Sequence, residues 1–483
     1  MYLGIDIGTS SVKAMLVDGR NAIIAQSSAP LSISRPRPLW SEQSPDDWWT
    51  ATNQAVLALP AEHRRAVRAI GLSGQMHGAT VLDADDRPLR PAILWNDGRS
   101  EAQCRTLVET LPEIETITGN LVMPGFTAPK TVWLRENEPD VLARAASILL
   151  PKDYVRLCMT GDKASDMSDA AGTSWLDVSQ RAWSEDALQA CGLDTGYMPQ
   201  LFEGSQFTGT LLAKTAQAWG MDQVNVAAGG GDNAAGACGI GVVEEGDAFI
   251  SLGTSGVIFL AGNQFRPNPA RAVHAFCHAL PDRWHQMTVL LSAASCLDWA
   301  AKATGVASAA ALDQHVSERG HLGGTEIFLP YLSGERTPHN NPHARGVLFG
   351  LDHDSDAGAI GQAVMEGVAF AFADGLDALV ESGAAVTSLS VIGGGAKSRH
   401  WGRVLAAALQ RSLVYREGAE TGPAFGAARL ARLTAGDGDS ASVLAPPPVI
   451  DQIDPAEADI AALAPKRSRF THLYDALTPH FGD

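Results

Sequence analysis

Three short glycine-bearing segments carry residues that could hold a phosphate: Gly8-Thr9-Ser10, Gly253-Thr254-Ser255-Gly256 and Gly393-Gly394-Gly395. Each follows or separates an apolar run of strand length. A turn without Cβ bulk lets backbone N–H groups converge on an anion, and adjacent hydroxyls add donors. One Gly-Thr-Ser turn is ordinary punctuation between strands. Three at strand ends, two in matched surroundings, point to an anion site.

Asp6 stands just before the first turn. A carboxylate there would repel phosphate unless a cation such as Mg²⁺ stood between them. The other reading is an Asp that bonds its own backbone and shapes the turn. Lys13 either neutralises phosphate charge or is a solvated lysine on the outer strand face. The richest segment is Gly229-Gly-Gly-Asp232-Asn233, after the apolar stretch Val224–Ala228 and before a run of small residues. Its glycines permit close approach of a ligand, and Asp232 would hold a hydroxyl nucleophile at the mouth of a crevice. A carboxylate of ordinary pKa, about 3.9, is a weak base for an alcohol. That matters less in a loose phosphoryl-transfer transition state, where the base mainly orients the nucleophile. Asp232 as a helix N-cap is the structural alternative. Gln75-Met76-His77-Gly78 lies between two predicted strands, where a neutral His77 either bonds a sugar hydroxyl or is satisfied structurally. Trp95-Asn96-Asp97-Gly98-Arg99 likewise puts polar groups and an aromatic at a strand end.

Other patterns fail on inspection. Gly229-x-Gly231-x-x-Ala234 fits a relaxed dinucleotide fingerprint, but Asp232 would sit inside the pyrophosphate turn, where an anion is unwelcome. Gly395-Ala396-Lys397-Ser398 lacks the glycines of a P-loop. His274 and His278 have the spacing of a zinc helix, with Ala275 where the glutamate would stand, and neither that pair nor His339/His343 has an evident third ligand.

The elements that must position these residues alternate between strand and helix. Tyr2–Ile7, Val12–Val17 and Ile23–Gln26 read as three strands joined by tight turns. A helix is expected over Pro45–Leu59 behind Ser44, with strands at Ala69–Leu72 and Ala92–Trp95. The segment Asp6–Asp18 recurs in outline as Ser251–Ala261, each with Gly-Thr-Ser between two apolar runs. This predicts two related α/β halves, 1–245 and 246–483. In the second, strands are expected at Phe328–Leu332 and Leu389–Ile392, and helices over Ile360–Ser382, from Ser398 or His400, and over Pro423–Ala435. From about residue 436 the composition turns to Ala, Pro and Asp, read as a linker to a terminal helix around Phe470–Leu477.

Composition sets the outer bounds. With 483 residues, 45% of them hydrophobic, the chain can bury more than one core. Its 36 basic and 54 acidic residues leave a net charge of −18, which opposes general nucleic-acid binding but not a local phosphate site. Six scattered cysteines without a C-x-x-C pair read as reduced thiols. No signal peptide and no run of about 18 apolar residues is evident, so the expected setting is the cytoplasm, without a membrane partner.

Together, Gly4-Ile-Asp6-Ile-Gly8-Thr9-Ser10, Gly229-Gly-Gly-Asp232-Asn233, Ser251-Leu-Gly-Thr254-Ser255 and Ile392-Gly-Gly-Gly395 resemble the FGGY family of carbohydrate kinases, within the actin-like ATPase superfamily. Ser73-Gly-Gln-Met76-His77-Gly-Ala, Ile93–Arg99, Ser165–Gly172 and Tyr331–Asn341 are similar to its members that act on xylulose. The likeness runs to about Ala435. It departs at Thr131, where a bulky apolar residue is usual after Lys130, and at Ala359, where a polar one is usual; both look structural.

The resemblance implies two ribonuclease-H-like domains around a catalytic cleft. The implied reaction is phosphorylation of D-xylulose at its 5-hydroxyl by ATP and Mg²⁺, in xylose catabolism. Asp232 would be the catalytic base, and Asp6 the carboxylate near Mg²⁺ and sugar, reaching the metal through water. Met76, His77 and Asn233 would bind substrate. Thr9, Ser10, Lys13, Gly253 and Thr254 would surround the phosphates, with Gly394, Gly395 and Ser398 nearer the adenosine. A homodimer is also implied. A kinase for ribulose, gluconate or glycerol, and an actin-like ATPase that is not a kinase, remain alternatives.

Overall fold

A computed structural model describes residues 1–418 and 421–482. Its first sheet uses β1 (Tyr2–Ile7), β2 (Ser11–Val17), β3 (Ile23–Pro30), β4 (Ala69–Gly74), β5 (Phe207–Thr210), β6 (Asn225–Ala227) and β7 (Gly230–Gly231). The order is β5-β6-β4-β1-β2-β3, with β7 also on β4. The second sheet uses β8 (Asp247–Leu252), β9 (Gly256–Gly262), β10 (His274–Cys277), β11 (Trp284–Leu290), β12 (Ser388–Ile392), β13 (Leu413–Arg416) and β14 (Val449–Ile453), in the order β10-β11-β9-β8-β12-β13-β14.

The internal sequence echo is an architectural repeat. The run β3-β2-β1-β4-β6-β5 matches β11-β9-β8-β12-β13-β14 strand for strand: two antiparallel pairs, two parallel pairs, then an antiparallel one. Both Gly-Thr-Ser segments join the first antiparallel hairpin of their sheet. The central strands β1 and β4 are buried throughout, which is why they read as nearly unbroken apolar runs.

The helices relevant to the site are α1 (Pro45–Ala58), α2 (Thr127–Asn137), α3 (Asp232–Ile240), α4 (Ala357–Glu381), α5 (Arg399–Leu409), α6 (Gly422–Thr434) and α7 (Glu457–Leu477). The long α4 starts where Asp356 accepts the Ala359 N–H at 2.8 Å, and it supplies much of the second core. Two helices cross at the seam between the sheets. Ala237 and Ile240 of α3 pack on Phe249 and Phe259 of the second sheet, whose rings stack at 5.0 Å. In return α6, from the second half of the sequence, lies on the first sheet. A Cβ at Gly4 or Gly71 would come within 1.8–1.9 Å of the α6 carbonyls of Ala424 and Ala427, and one at Gly426 within 1.7 Å of the Ala235 carbonyl on α3. Only hydrogen fits at these approaches, so glycine sets the spacing that holds the start of α3.

The tail differs from expectation. The terminal helix begins at Glu457, not near Phe470, and carries Pro465 inside it. The expected linker contains β14, an edge strand whose first four residues are exposed and which is held by its pairing to β13. The strands expected at Ala92–Trp95 and Phe328–Leu332 are shorter, Ala92–Ile93 and Ile327–Leu329. Among the described residues no helix is long and apolar enough to cross a membrane.

Candidate active site

Asp232 is the first residue of α3, with Gly231 as N-cap, so it is not the cap. The Asn233 backbone N–H and Nδ2 donate to its Oδ1 at 2.7 and 2.9 Å, fixing one carboxylate oxygen. Burial pushes its pKa up to about 6, against those two hydrogen bonds. The positive end of α3 lies behind the charge. Gly229 takes a left-handed φ of 77°, where a Cβ would lie 1.9 Å from the Leu72 carbonyl, so the glycine run passes directly over β4.

Asp6 lies at the end of β1 and is 6% exposed. Burial first, then the charge of Asp232, push its carboxyl up to about 7, while Lys13 and Ser73 oppose the shift. Lys13 is the direct cross-strand partner of Asp6, so both project from the same face, and Lys13 is exposed. The turn itself closes from the Gly8 N–H to the Ser11 carbonyl at 3.1 Å. Asp6 Oδ1 is buried with no hydrogen-bond partner among the described residues. Such an orphan acceptor suits a cation or its water shell. No cluster of three or more His, Cys, Asp or Glu side chains suited to a metal occurs among the described residues. Mg²⁺ at Asp6 would therefore rest on one carboxylate, waters and phosphate oxygens. His274 and His278, on and just after β10, are buried against Asn120 and the Val242 carbonyl.

This arrangement has a stability consequence. A carboxylate raised above its unfolded pKa binds more protons in the folded state, so its contribution falls as pH rises from about 4 to 7. Asp6→Asn is expected to raise the melting temperature of the ligand-free, EDTA-treated protein at pH 8 and to have less effect at pH 4. Thermal melts at the two pH values check this; a lower melting temperature at pH 8 would contradict it.

Met76 and His77 share one loop. Met76 is buried against the positions of Gly172 and Gly231. His77 has a left-handed φ of 69°, its ring stacks on Phe126 at 4.7 Å, and its Nδ1 lies 2.5 Å from the Gly172 carbonyl. That carbonyl can only accept, so Nδ1 carries the proton and Nε2 is left as an acceptor for a ligand hydroxyl. Burial pushes His77 down to about 3, keeping it neutral. The strained loop is pinned from α2, whose Lys130 Nζ and Thr127 Oγ1 donate to the His77 carbonyl at 2.8 and 3.2 Å. Sequence reasoning named neither as a site residue; a lysine buried in a helix with apolar neighbours was the available signal. Thr131 bonds the Ala128 carbonyl at 2.8 Å, and Ala359 is buried in the first turn of α4.

On the other side, Gly253, Thr254, Gly394, Gly395 and Ser398 line one cavity of about 550 Å³. Thr254 is exposed there. Ser398 is committed elsewhere: its Oγ donates to Asp313 at 2.5 Å and caps α5 by accepting the Trp401 N–H at 3.0 Å. It shapes the wall. Thr9, Ser10 and Lys13 lie outside this cavity, on the first hairpin. Ser10 is exposed. The Thr9 hydroxyl donates to Gln75 Oε1 and accepts from Trp95 Nε1, both at 3.0 Å, so its single proton is not available to a phosphate. Thr9 can offer a phosphate its backbone N–H.

The family model for the N-terminal domain of the FGGY family of carbohydrate kinases matches residues 1–239, and that for its C-terminal domain matches residues 248–435. The chain is 52% identical over 481 residues to a xylulose kinase of Escherichia coli (strain K12), covering 99% of each. It is similar to the crystal structure of a xyloylose kinase from Brucella ovis, with TM-score 0.96, 49% identity and 99% coverage of both chains. A xylulose kinase from Rhodospirillum rubrum superposes with TM-score 0.92 at 26% identity, also over 99% of both.

Proposed function

This chain belongs to the FGGY family of carbohydrate kinases, and from that premise we propose that it transfers the γ-phosphoryl group of ATP to the 5-hydroxyl of D-xylulose. The observation that carries the reading is the Asp232 carboxylate, raised to about 6 and held by Asn233 beside the Met76–His77 loop. The 52% identity to a xylulose kinase over 99% of both chains supports the choice of sugar.

Asp232 accepts the hydrogen bond of the attacking hydroxyl through its remaining oxygen, and takes the proton as the O–P bond forms. The leaving group is ADP. His77 Nε2 accepts from a sugar hydroxyl away from the reacting centre, and Met76 packs on the carbon chain. Lys13 and the backbone amides of Thr9, Ser10 and Thr254 balance the phosphate charge in turns closed by the Gly8 and Gly253 N–H groups, with Gly394 and Gly395 nearer the adenosine. Mg²⁺ would add charge neutralisation between the phosphates and Asp6. We place the division between the halves near residue 245, the enzyme in the cytoplasm, and the active form as a homodimer.

Product identity tests the reading. Phosphorus NMR of the reaction with D-xylulose, ATP and Mg²⁺ is expected to show a phosphate monoester coupled to the two C5 protons. A signal coupled to C1 protons, or inorganic phosphate alone, would contradict it. EDTA is expected to stop the reaction and excess Mg²⁺ to restore it.

A further inference from the structure

Two glutamines without a role above close a hydrogen-bonded ring between the first phosphate turn and the sugar loop. Gln43 Nε2 donates to the Thr9 carbonyl at 2.7 Å and to the Ser32 carbonyl at 3.2 Å. Gln43 Oε1 accepts from Trp48 Nε1 and from Gln75 Nε2, each at 2.9 Å. Gln75 Oε1 in turn accepts the Thr9 hydroxyl at 3.0 Å, completing the circuit. Both amides are 2% exposed, and Trp48, in the core on α1, is fully buried. Indole N–H can only donate, which fixes the orientation of Gln43 and, through it, that of Gln75. Every polar atom of Gln43 is satisfied in that one arrangement, so the ring is rigid.

The related turn of the second half is wired differently. Thr254 uses its carbonyl to receive the Ala293 N–H and the Ser295 hydroxyl, and its side chain is exposed. Thr9 has the matching place in the repeat, yet its side chain faces inward to Gln75, the residue directly before Met76 and His77. The repeat thus gives one turn free to meet a nucleotide and one tied to the sugar loop.

We propose that Gln43 and Gln75 are positioning residues for phosphoryl transfer: they lock the Gly8–Ser10 turn to the Met76–His77 loop, so that phosphate chain and acceptor hydroxyl are held in one frame. The proposal rests on the sugar-kinase reading above. Its physical basis is that in-line transfer depends on alignment, and a misplacement of about 1 Å can cost about 100-fold in rate.

The test uses Gln75→Met, which keeps the volume and removes both hydrogen bonds, with Thr9→Val and Thr9→Ser. ADP and sugar phosphate are measured separately with D-xylulose, along with KM for each substrate. Gln75→Met is expected to lower kcat by about 10–100-fold with KM for ATP little changed, and to release more than one ADP per sugar phosphate as water intercepts the misaligned phosphoryl group. Thr9→Val is expected to reproduce this and Thr9→Ser, which keeps the hydroxyl, to restore coupling. A merely structural role would lower the melting temperature and leave the ADP-to-product ratio at one; that result overturns the proposal, as does Thr9→Ser as impaired as Thr9→Val. If Gln75→Met does not fold, the Thr9 pair decides. Wild-type turnover on the same sugar reports on the functional reading, and the variant-to-wild-type comparison reports on the ring.

Discussion

Asp232→Asn is expected to lower kcat by about 10²–10⁴-fold while leaving the KM for sugar within a few-fold. The amide keeps the shape and can still accept from Asn233, so the loss isolates the carboxylate's charge and basicity. The pH profile gives a second readout. Because Asp232 must be deprotonated to act and burial raises its pKa to about 6 in the free protein, kcat/KM for the sugar should halve near pH 6 and fall further below it. Steady-state rates between pH 5 and 8 check this, and the Asn variant should lose that limb. A variant with near wild-type kcat would remove Asp232 from the base role.

Gly426→Ala is expected to be among the most damaging single substitutions away from the cleft. The added Cβ would stand 1.7 Å from the Ala235 carbonyl, and backbone on both helices would have to move. Overpacking of this kind typically costs about 1–3 kcal/mol, and more where backbone is the obstacle. Because α3 carries Asp232 at its first residue, the separation also moves the proposed base. The variant should show a melting temperature several degrees lower and, in its folded fraction, a reduced kcat at saturating sugar. A melting temperature unchanged from wild type would contradict the helix-crossing account.

The parts legible in the sequence were those encoded locally. Tyr2–Val17 and Asp247–Gly262 read as hairpins because their strands are mostly buried and apolar and their turns carry glycine. Asp232 stood out because the glycines before it run close over β4, where a Cβ at Gly229 would lie 1.9 Å from the Leu72 carbonyl. A Cβ at Gly394 of the cavity would meet nothing within 4 Å, and that residue stood out only as part of a glycine run. What escaped depends on tertiary partners. Nothing near Pro423 announces that α6 packs on the other half's sheet; small residues along it are the trace. β14 has no apolar alternation to read because both its faces are exposed and only backbone pairing holds it. α7 carries Pro465 inside it, an interruption of helical propensity that the packing of Leu463, Phe470 and Tyr474 overrides. His274–Cys277 is a strand, so the apparent helical spacing of His274 and His278 was accidental.

The side-chain roles divide in the same way. Ser398 and Thr9 are both hydroxyls beside glycine turns, expected near the adenosine and the phosphates respectively. Asp313 lies 85 residues from Ser398, and Gln75 66 residues from Thr9, and those distant partners decide what each hydroxyl does. Lys130 could be located in the sequence but not its task, because its acceptor is a backbone carbonyl of the sugar loop.

The most direct measurement is ADP release and sugar-phosphate formation by the purified protein with ATP and Mg²⁺ across D-xylulose, D-ribulose, L-ribulose, gluconate and glycerol, beside a no-sugar control. The account predicts rapid turnover on D-xylulose, with one phosphorylated sugar per ADP, and far slower turnover on the rest. Faster turnover on another of these substrates would contradict the assigned sugar, and ADP release that no sugar stimulates would contradict the kinase itself.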